Sequence, residues 1–437
     1  MKIENAETQL SIVNYQLSIK DIIADIAQRI FNGEKITYDP DLLRTTVKPY
    51  LDGIAKGYGK SLSDVDYDTP DFKTLQKLTE NVFQFSASKD FNLLRDMTNA
   101  LKGTDGQIRS FDEFRQEVDK MNAKYNINWL RTEYNQAVAS SQCAARWTDF
   151  EKHADKNPFL QYQAVMDANT RKEHAALHGV IKRYDDDFWD KYYPPNGWGC
   201  RCEVIQLPGK NHKETPAKDM KFCKVDDMWK VNVGKKGVVF PKGHPYFINQ
   251  CGTNSCPLKG RKLAATENPQ CEACLEATNV CRGKIEKMQK NADSSNKINE
   301  IITQIQKGGR REYISIALST IHKQVFEVLE REKMPINITE MTISTDRISH
   351  ALRPFKSGKD KALPIECFVK LPFIIDNCSV YFDHVHKNFW YIFEKNDKIM
   401  KYVFGLYEIK GVKEFTLITA GIIDKRNLMQ AEIEKIK

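Results

Sequence analysis

"DANTRKEHAALHGV" (residues 167–180) is followed about a dozen residues later by "YYPPNGWGCRC" (192–202), and the two stretches decide how the middle of the chain is read. The first carries His174 and His178, which on a helix lie one turn apart on the same face. The second forbids regular structure across 194–199, where two prolines and two glycines punctuate the backbone, and it ends on Cys200 and Cys202. Two imidazoles and two thiolates can complete a four-coordinate zinc site. The same residues can also form a metal-free core in which the histidines hydrogen-bond the turns. Hydrolytic metal chemistry fits poorly. Ala175 stands where the general-base glutamate of a helical zinc protease follows its first histidine, and Glu173 points to a different face. Four protein ligands would also leave no position for water. The arrangement therefore reads as architecture.

A chain of 437 residues exceeds the usual single-domain size, and with 41% hydrophobic against 28% charged residues it can bury a core in more than one domain. The formal net charge of +8 permits phosphate-rich partners without arguing for them, since charge must gather on one face to matter. The N-terminus lacks the apolar stretch of a secretory signal. No run approaches the roughly 18 apolar residues of a membrane span. Synthesis in a reducing cytoplasm and no membrane partner are the expectations. Eleven cysteines cannot all pair within one chain, and Cys200, Cys202, Cys223, Cys251, Cys256, Cys271, Cys274 and Cys281 crowd into one segment. In a cytoplasmic protein such crowding reads as metal binding before disulfides.

The pattern predicts a multidomain α+β chain. Residues 1–119 read as a helical region: Leu17, Ile22, Ile23, Ile26 and Ile30 keep helical spacing before Gly33, and Ser110 with Glu113 offers a capping box. A long helix is expected from about Asn128 to Trp147, with Trp129, Tyr134 and Trp147 facing a core. Residues 120–210 then mix a short helix near 170–178 with turns and short strands. Residues 211–283 read as a Cys-containing loop region and 284–311 as a polar linker, helical or flexible. In 312–437, "EYISIALSTIHKQVFEVLERE" suggests an amphipathic helix. "EMTIS", "SVYFDHV", "NFWYIFEK", "KYVFGLYEI" and "EFTLITAGII" follow at hairpin spacing, as an antiparallel sheet.

Three stretches, "WLRTEYNQAVASSQCAARW" (129–147), "NPFLQYQAVMDANTRKEHAALHG" (157–179) and "DDFWDKYYPPNGWGCRCEV" (186–204), resemble the phage Mu F-like head morphogenesis family over about 120–210. The resemblance implies a minor head protein of a tailed phage or prophage, acting in capsid assembly or DNA delivery. Its partners would be portal and head proteins, with packaged DNA as a further contact. It would reside in the host cytoplasm during assembly and then in the virion near the portal. No catalysis is implied for this domain.

Cys251-x4-Cys256 and Cys271-x2-Cys274 fit a four-cysteine structural zinc site, although Cys281 is an available substitute. Reduced cysteines without metal, or disulfides formed later in the virion, are the other readings. In the last domain "STDRISHALRPFKSGKDKALP" (344–364) would present Arg347, His350 and Arg353 from a short helix, with Lys356 in the loop after it. A metal-independent ribonuclease needs a base for the 2′-OH, a cation for phosphate and an acid for the leaving oxygen. His350 titrates near neutrality, and Arg347 and Arg353 can grip phosphate. Thr416 or Thr419 can donate to a phosphate oxygen, but side chains three apart on a strand face opposite sides, so at most one is expected at a site. His384 and His386 are a fallback pair at a strand end.

The order of elements and "SHALRP" resemble the phage-associated branch of the barnase/EndoU/colicin/RelE nuclease superfamily over about 312–430. That resemblance implies a toxin-like effector cutting host RNA, such as tRNA, by 2′-OH transesterification, with an immunity protein as partner. The competing expectations are a structural virion protein whose last domain only binds, and a DNA-binding module built on the Cys cluster.

Overall fold

The computed structural model describes residues 6–66, 68–220, 225–247, 269–308, 312–334, 336–351, 363–395, 398–409, 412–430 and 432–437. The chain divides into two compact units, Met1–Ile285 and Glu286–Lys437.

Helices build most of the first unit: α1 Ala6–Phe31, α2 Pro40–Tyr58, α3 Pro70–Asn99, α4 Phe111–Asn122 and α5 Leu130–His153. The start and stop signals are local. Asp39 accepts from the N–H groups of Asp41 and Leu42 at 3.0 Å and Pro40 opens α2, which closes on Gly59 at φ 81°. Ser110 and Glu113 form the expected capping box on α4. Leu42, Leu43, Val47, Tyr50 and Ile54 bury one stripe of α2. Where α2 crosses α5 the backbones nearly touch, since a Cβ on Gly57 would stand 2.1 Å from the Val138 carbonyl oxygen. No other residue fits there.

Three details differ from expectation. Leu17 is exposed on α1, although Ile23, Ile26 and Ile30 are buried. Trp129 is 55% exposed, whereas Tyr134 and Trp147 are buried as expected. Trp129 sits where a π-helical stretch, Ala123–Asn128, hands over to α5, and the wider turn puts its ring out of phase with the core stripe.

Beyond α5 comes a small sheet: β1 Phe159–Gln163, β2 Ile181–Arg183 and β3 Glu203–Leu207, in the order β2-β1-β3 with both pairings antiparallel. Trp147 and Phe150 of α5 pack with Leu160, Tyr162, Trp189, Tyr193 and Val204 in its core. Between the strands lie α6 Lys172–Ala175 and α7 Phe188–Tyr192, and α8 Val233–Lys236 follows.

Residues 269–306 form one helix, α9 Pro269–Gln306, so 269–283 is helical where a loop was expected, and the 284–311 stretch takes the helical one of its two expected forms through Gln306. Ala277 and Cys281 pack into the first unit's core, while Ile298, Ile301 and Ile302 pack into the second's. The division between the units falls at residue 285, within this helix.

The second unit contains β4 Ser315–Thr320, α10 Lys323–Arg331, β5 Glu340–Ser344, α11 Thr345–Ala351, β6 Ser379–Asp383, β7 Asn388–Lys395, β8 Lys398–Ile409, β9 Val412–Ile423 and β10 Ile433–Lys435. Its seven strands run β10-β6-β7-β8-β9-β5-β4. The expected antiparallel hairpins are present, but β5 pairs with β9 in parallel. The expected single helix across 312–332 is a strand followed by a helix. "SIALST" pairs with β5, and that pairing overrides its local spacing. Phe382, Phe389, Tyr391, Phe404, Phe415 and Leu417 cover one face of the sheet together with Val325 of α10 and Ile348 of α11. Trp390, Ile392, Ile399 and Val403 cluster separately.

Candidate functional site

The stretches 167–180 and 192–202 converge. β1 and β3 are neighbours, with Gln163 paired to Glu203, so the chain leaving β1 and the chain entering β3 run side by side. The outgoing chain turns at 165–170, where Asp167 accepts from the Asn169 N–H at 3.0 Å and the Thr170 hydroxyl at 3.0 Å. α6 then presents His174 inward. The incoming chain turns at Gly199, whose φ of 66° suits glycine, and Cys200-Arg201-Cys202 follows as an extended run. Alternation along that run sends both sulfurs one way and Arg201 the other.

His174 Nδ1 lies 3.7 Å from Cys200 Sγ and 3.5 Å from Cys202 Sγ, and the three donor atoms all stand within 4.8 Å of one another. His174 and Cys202 are buried and Cys200 is half-buried. Both cysteines are free thiols. The Cys202 thiol donates to Cys200 and, with the His174 ring, holds Cys200 well below the usual thiol range. Cys202 is pushed up in return by the same hydrogen bond and by burial. Two clamps fix the geometry from outside. Arg201 grips the Asp167 carboxylate at 2.6 and 2.7 Å, and Arg171 donates to the Trp198 carbonyl at 2.7 Å. Asn169, Thr170, Arg171 and Gly199 line a pocket against the three donors.

His178 is not in this cluster. α6 ends at Ala175, so the second histidine leaves the helical face, and its Nδ1 accepts the Ala164 N–H at 3.2 Å. It is exposed and serves as a turn tie. Cys143, in the same core, is a buried thiol pushed up to about 12 by desolvation. Arg171, Asp167 and Arg201 were missed by reasoning on ligand types alone. The Cys-Arg-Cys alternation and the Asp-x-x-Thr turn were the available signals.

The second cysteine group is only partly in view. Cys251 and Cys256 lie outside the described residues. Cys271 and Cys274 sit three apart on α9, Cys274 is buried, and burial pushes the Cys281 thiol up to about 12.

In the second unit Arg347 and His350 both lie on α11, half-buried, one turn apart. The Arg347 guanidinium sits 4.2 Å from the Tyr407 ring centroid. Glu414 is directly opposite Tyr407 and shares its face. Its carboxylate accepts hydroxyls from Tyr313 at 3.2 Å, Ser315 at 2.8 Å and Thr342 at 3.0 Å. Glu414 was not anticipated, because its partners come from two distant segments, 313–315 and β5. Arg353 and Lys356 lie outside the described residues.

Thr416 is fully buried, and its hydroxyl donates to the Thr342 carbonyl at 3.2 Å, so it ties β9 to β5 and does not reach a ligand. Thr419 is half-buried. The two threonines share a face, contrary to the three-residue rule. A bulge at Ile418 sets Thr416 opposite Gly405 and Thr419 opposite Val403, two apart on β8. His384 and His386 fall in the turn after β6 and are held apart by different partners: His384 Nε2 meets Glu434 at 3.0 Å, and His386 Nδ1 meets Asp383 at 2.9 Å.

No helix among the described residues is long and apolar enough to cross a membrane. Residues 93–205 match the family Phage Mu protein F like protein. Protein F of Escherichia phage Mu, whose name assigns it provisionally to capsid assembly, is 47% identical over 85 residues, 20% of this chain and 19% of that protein. The F protein of the Mu-like prophage FluMu of Haemophilus influenzae is 45% identical over 78 residues, 18% of this chain and 19% of its own length. The chain thus spans about a fifth of the length of these relatives. No solved structure matches it significantly. Residues 93–205, from the end of α3 to β3, are a Phage Mu protein F-like domain.

Proposed function

We propose that this chain is a minor head protein of a tailed phage or prophage, acting in capsid assembly with head and portal proteins as its partners. The family match over 93–205 carries the reading, because it encloses both arms of the His174–Cys200–Cys202 cluster and the clamps that hold them. An architectural role also suits the chemistry there: among the described residues no carboxylate joins the three donors, and Asp167 is engaged by Arg201. The test is deletion of the gene from a producing prophage. Heads that fail to mature, restored by the gene in trans, are expected, together with the chain in purified particles. Normal particles without it would overturn the reading.

One observation favours an added activity for the last domain. A carboxylate, Glu414, and a cation, Arg347, meet one face of the sheet through Tyr407, and His350 follows one turn later on the helix that carries Arg347. Base, phosphate grip and acid are the groups that metal-free RNA transesterification needs. In this reading Glu414 or His350 takes the 2′-OH proton, the other protonates the leaving 5′-oxygen, and Arg347 binds the phosphate. Purified full-length protein should then cut RNA in EDTA, and His350→Ala should abolish the cleavage. A folded protein that leaves all RNA intact would remove the activity and leave the head role standing.

A further inference from the structure

The Mu F-like domain contains three soft donors whose spacing its head role does not explain. With zinc–sulfur bonds of about 2.3 Å and zinc–nitrogen bonds of about 2.0–2.1 Å, neighbouring sulfur and nitrogen corners of a tetrahedral site stand about 3.6 Å apart. His174 Nδ1 meets the two sulfurs at 3.5 and 3.7 Å. We propose that His174, Cys200 and Cys202 bind one zinc ion through Nδ1 and two sulfurs, with the fourth position facing the adjoining pocket and taken by water.

Three observations support this beyond the distances. The donor set is thiolate and imidazole with no carboxylate, which selects zinc over hard cations such as magnesium or calcium. The donors come from two separate stretches, so an ion would fasten the 164–175 turn to the start of β3. Arg201 on Asp167 and Arg171 on the Trp198 carbonyl hold the backbone on both sides of the site, and the Tyr162 hydroxyl hydrogen-bonds the Cys202 sulfur, which supports its thiolate form. Binding displaces the thiol protons to solvent, leaving two thiolates on the ion. The site needs no ligand from His178.

The test is metal analysis of the full-length protein purified under reducing conditions, followed by cobalt(II) replacement. Wild type should hold one more zinc per chain than Cys200→Ser or Cys202→Ser, whatever the cysteines at 251–274 bind, and His178→Ala should keep the full content. Cobalt in the wild-type protein should give thiolate charge-transfer absorption, and His174→Cys should intensify it while keeping the metal. That second variant covers the case in which the serine variants misfold. Equal metal content in wild type and the serine variants would overturn the proposal. So would an apo protein that takes up no cobalt with thiolate absorption, and the cluster would then be a hydrogen-bonded thiol–imidazole core.

Discussion

Arg201 holds Asp167 with both arms of its guanidinium, Nη1 on Oδ2 at 2.6 Å and Nη2 on Oδ1 at 2.7 Å. The grip keeps the Asp167 carboxylate well below its ordinary range and pins the turn that leads to His174. Both groups are largely solvent-exposed, so the pair adds little to global stability. Its effect is on position. A lysine offers a point charge in place of a fork. Arg201→Lys should leave the melting temperature almost unchanged yet weaken zinc retention about tenfold in chelator competition, as loss of an outer support of a metal site does. Unchanged retention would show that the backbone alone sets the donors.

Deep in the helical unit, Lys89 Nζ meets Glu133 at 2.6 Å with both side chains almost fully buried, and the Tyr50 hydroxyl donates to the same carboxylate. Removing one partner leaves a buried charge without its counterion, which costs about 3–5 kcal/mol, whereas replacing both by apolar groups is often neutral. Glu133→Gln should therefore lower the melting temperature by roughly 10 °C, at a few degrees per kcal/mol for a unit of this size. Lys89→Met combined with Glu133→Leu should recover most of that loss in thermal unfolding. A double variant as unstable as the single would show that the Tyr50 hydroxyl, not the charge, dominates.

Much of the architecture was legible because local chemistry and tertiary packing agree. Ser110 and Glu113 cap α4 as their spacing indicates, and "EMTIS" and "NFWYIFEK" are β5 and β7 to the residue. The misreadings arise where a distant partner decides. "SIALST" is a strand because β5 lies beside it. The three-residue offset of Thr416 and Thr419 loses its meaning at a bulge, which depends on the register against β8. At the metal-type cluster, residue types gave His174, Cys200 and Cys202. The helix end at Ala175 removed His178, and no periodicity marks that end.

Asp90 sets a pH dependence. It is buried, its Oδ1 accepts the Thr46 hydroxyl at 2.8 Å, and Oδ2 has no hydrogen-bond partner. Desolvation raises its carboxyl to about 7. The unfolded chain releases this proton near pH 3.9, so between about pH 4 and 7 the folded state holds a proton that the unfolded state lacks. Asp90 therefore makes stability fall as pH rises through that window. Asp90→Asn keeps the acceptor for Thr46 and removes the titration. The variant should gain stability over wild type progressively from pH 5 to pH 8 in denaturant melts. A constant difference across that range would mean that Asp90 titrates normally.

The two threonines of β9 separate structure from activity in the last domain. Thr416 is buried and donates to the Thr342 carbonyl across the parallel β5–β9 pairing. Thr416→Val should cost about 1 kcal/mol, the net worth of one hydrogen bond, with the freed carbonyl adding to it. Any RNA cleavage by the folded fraction should persist. Thr419, half-buried, lies opposite Val403 on the face that the bulge turns toward Thr416. Thr419→Val, at a half-buried position, should cost no more than about 1 kcal/mol of stability, the net worth of one hydrogen bond. If the domain cleaves RNA through phosphate contacts on this face, the same change should slow cleavage by at least about tenfold, since one lost donor to a developing charge is worth more than that. Cleavage unaffected by Thr419→Val but lost in Glu414→Gln would move the phosphate contact to the Arg347 end of the sheet.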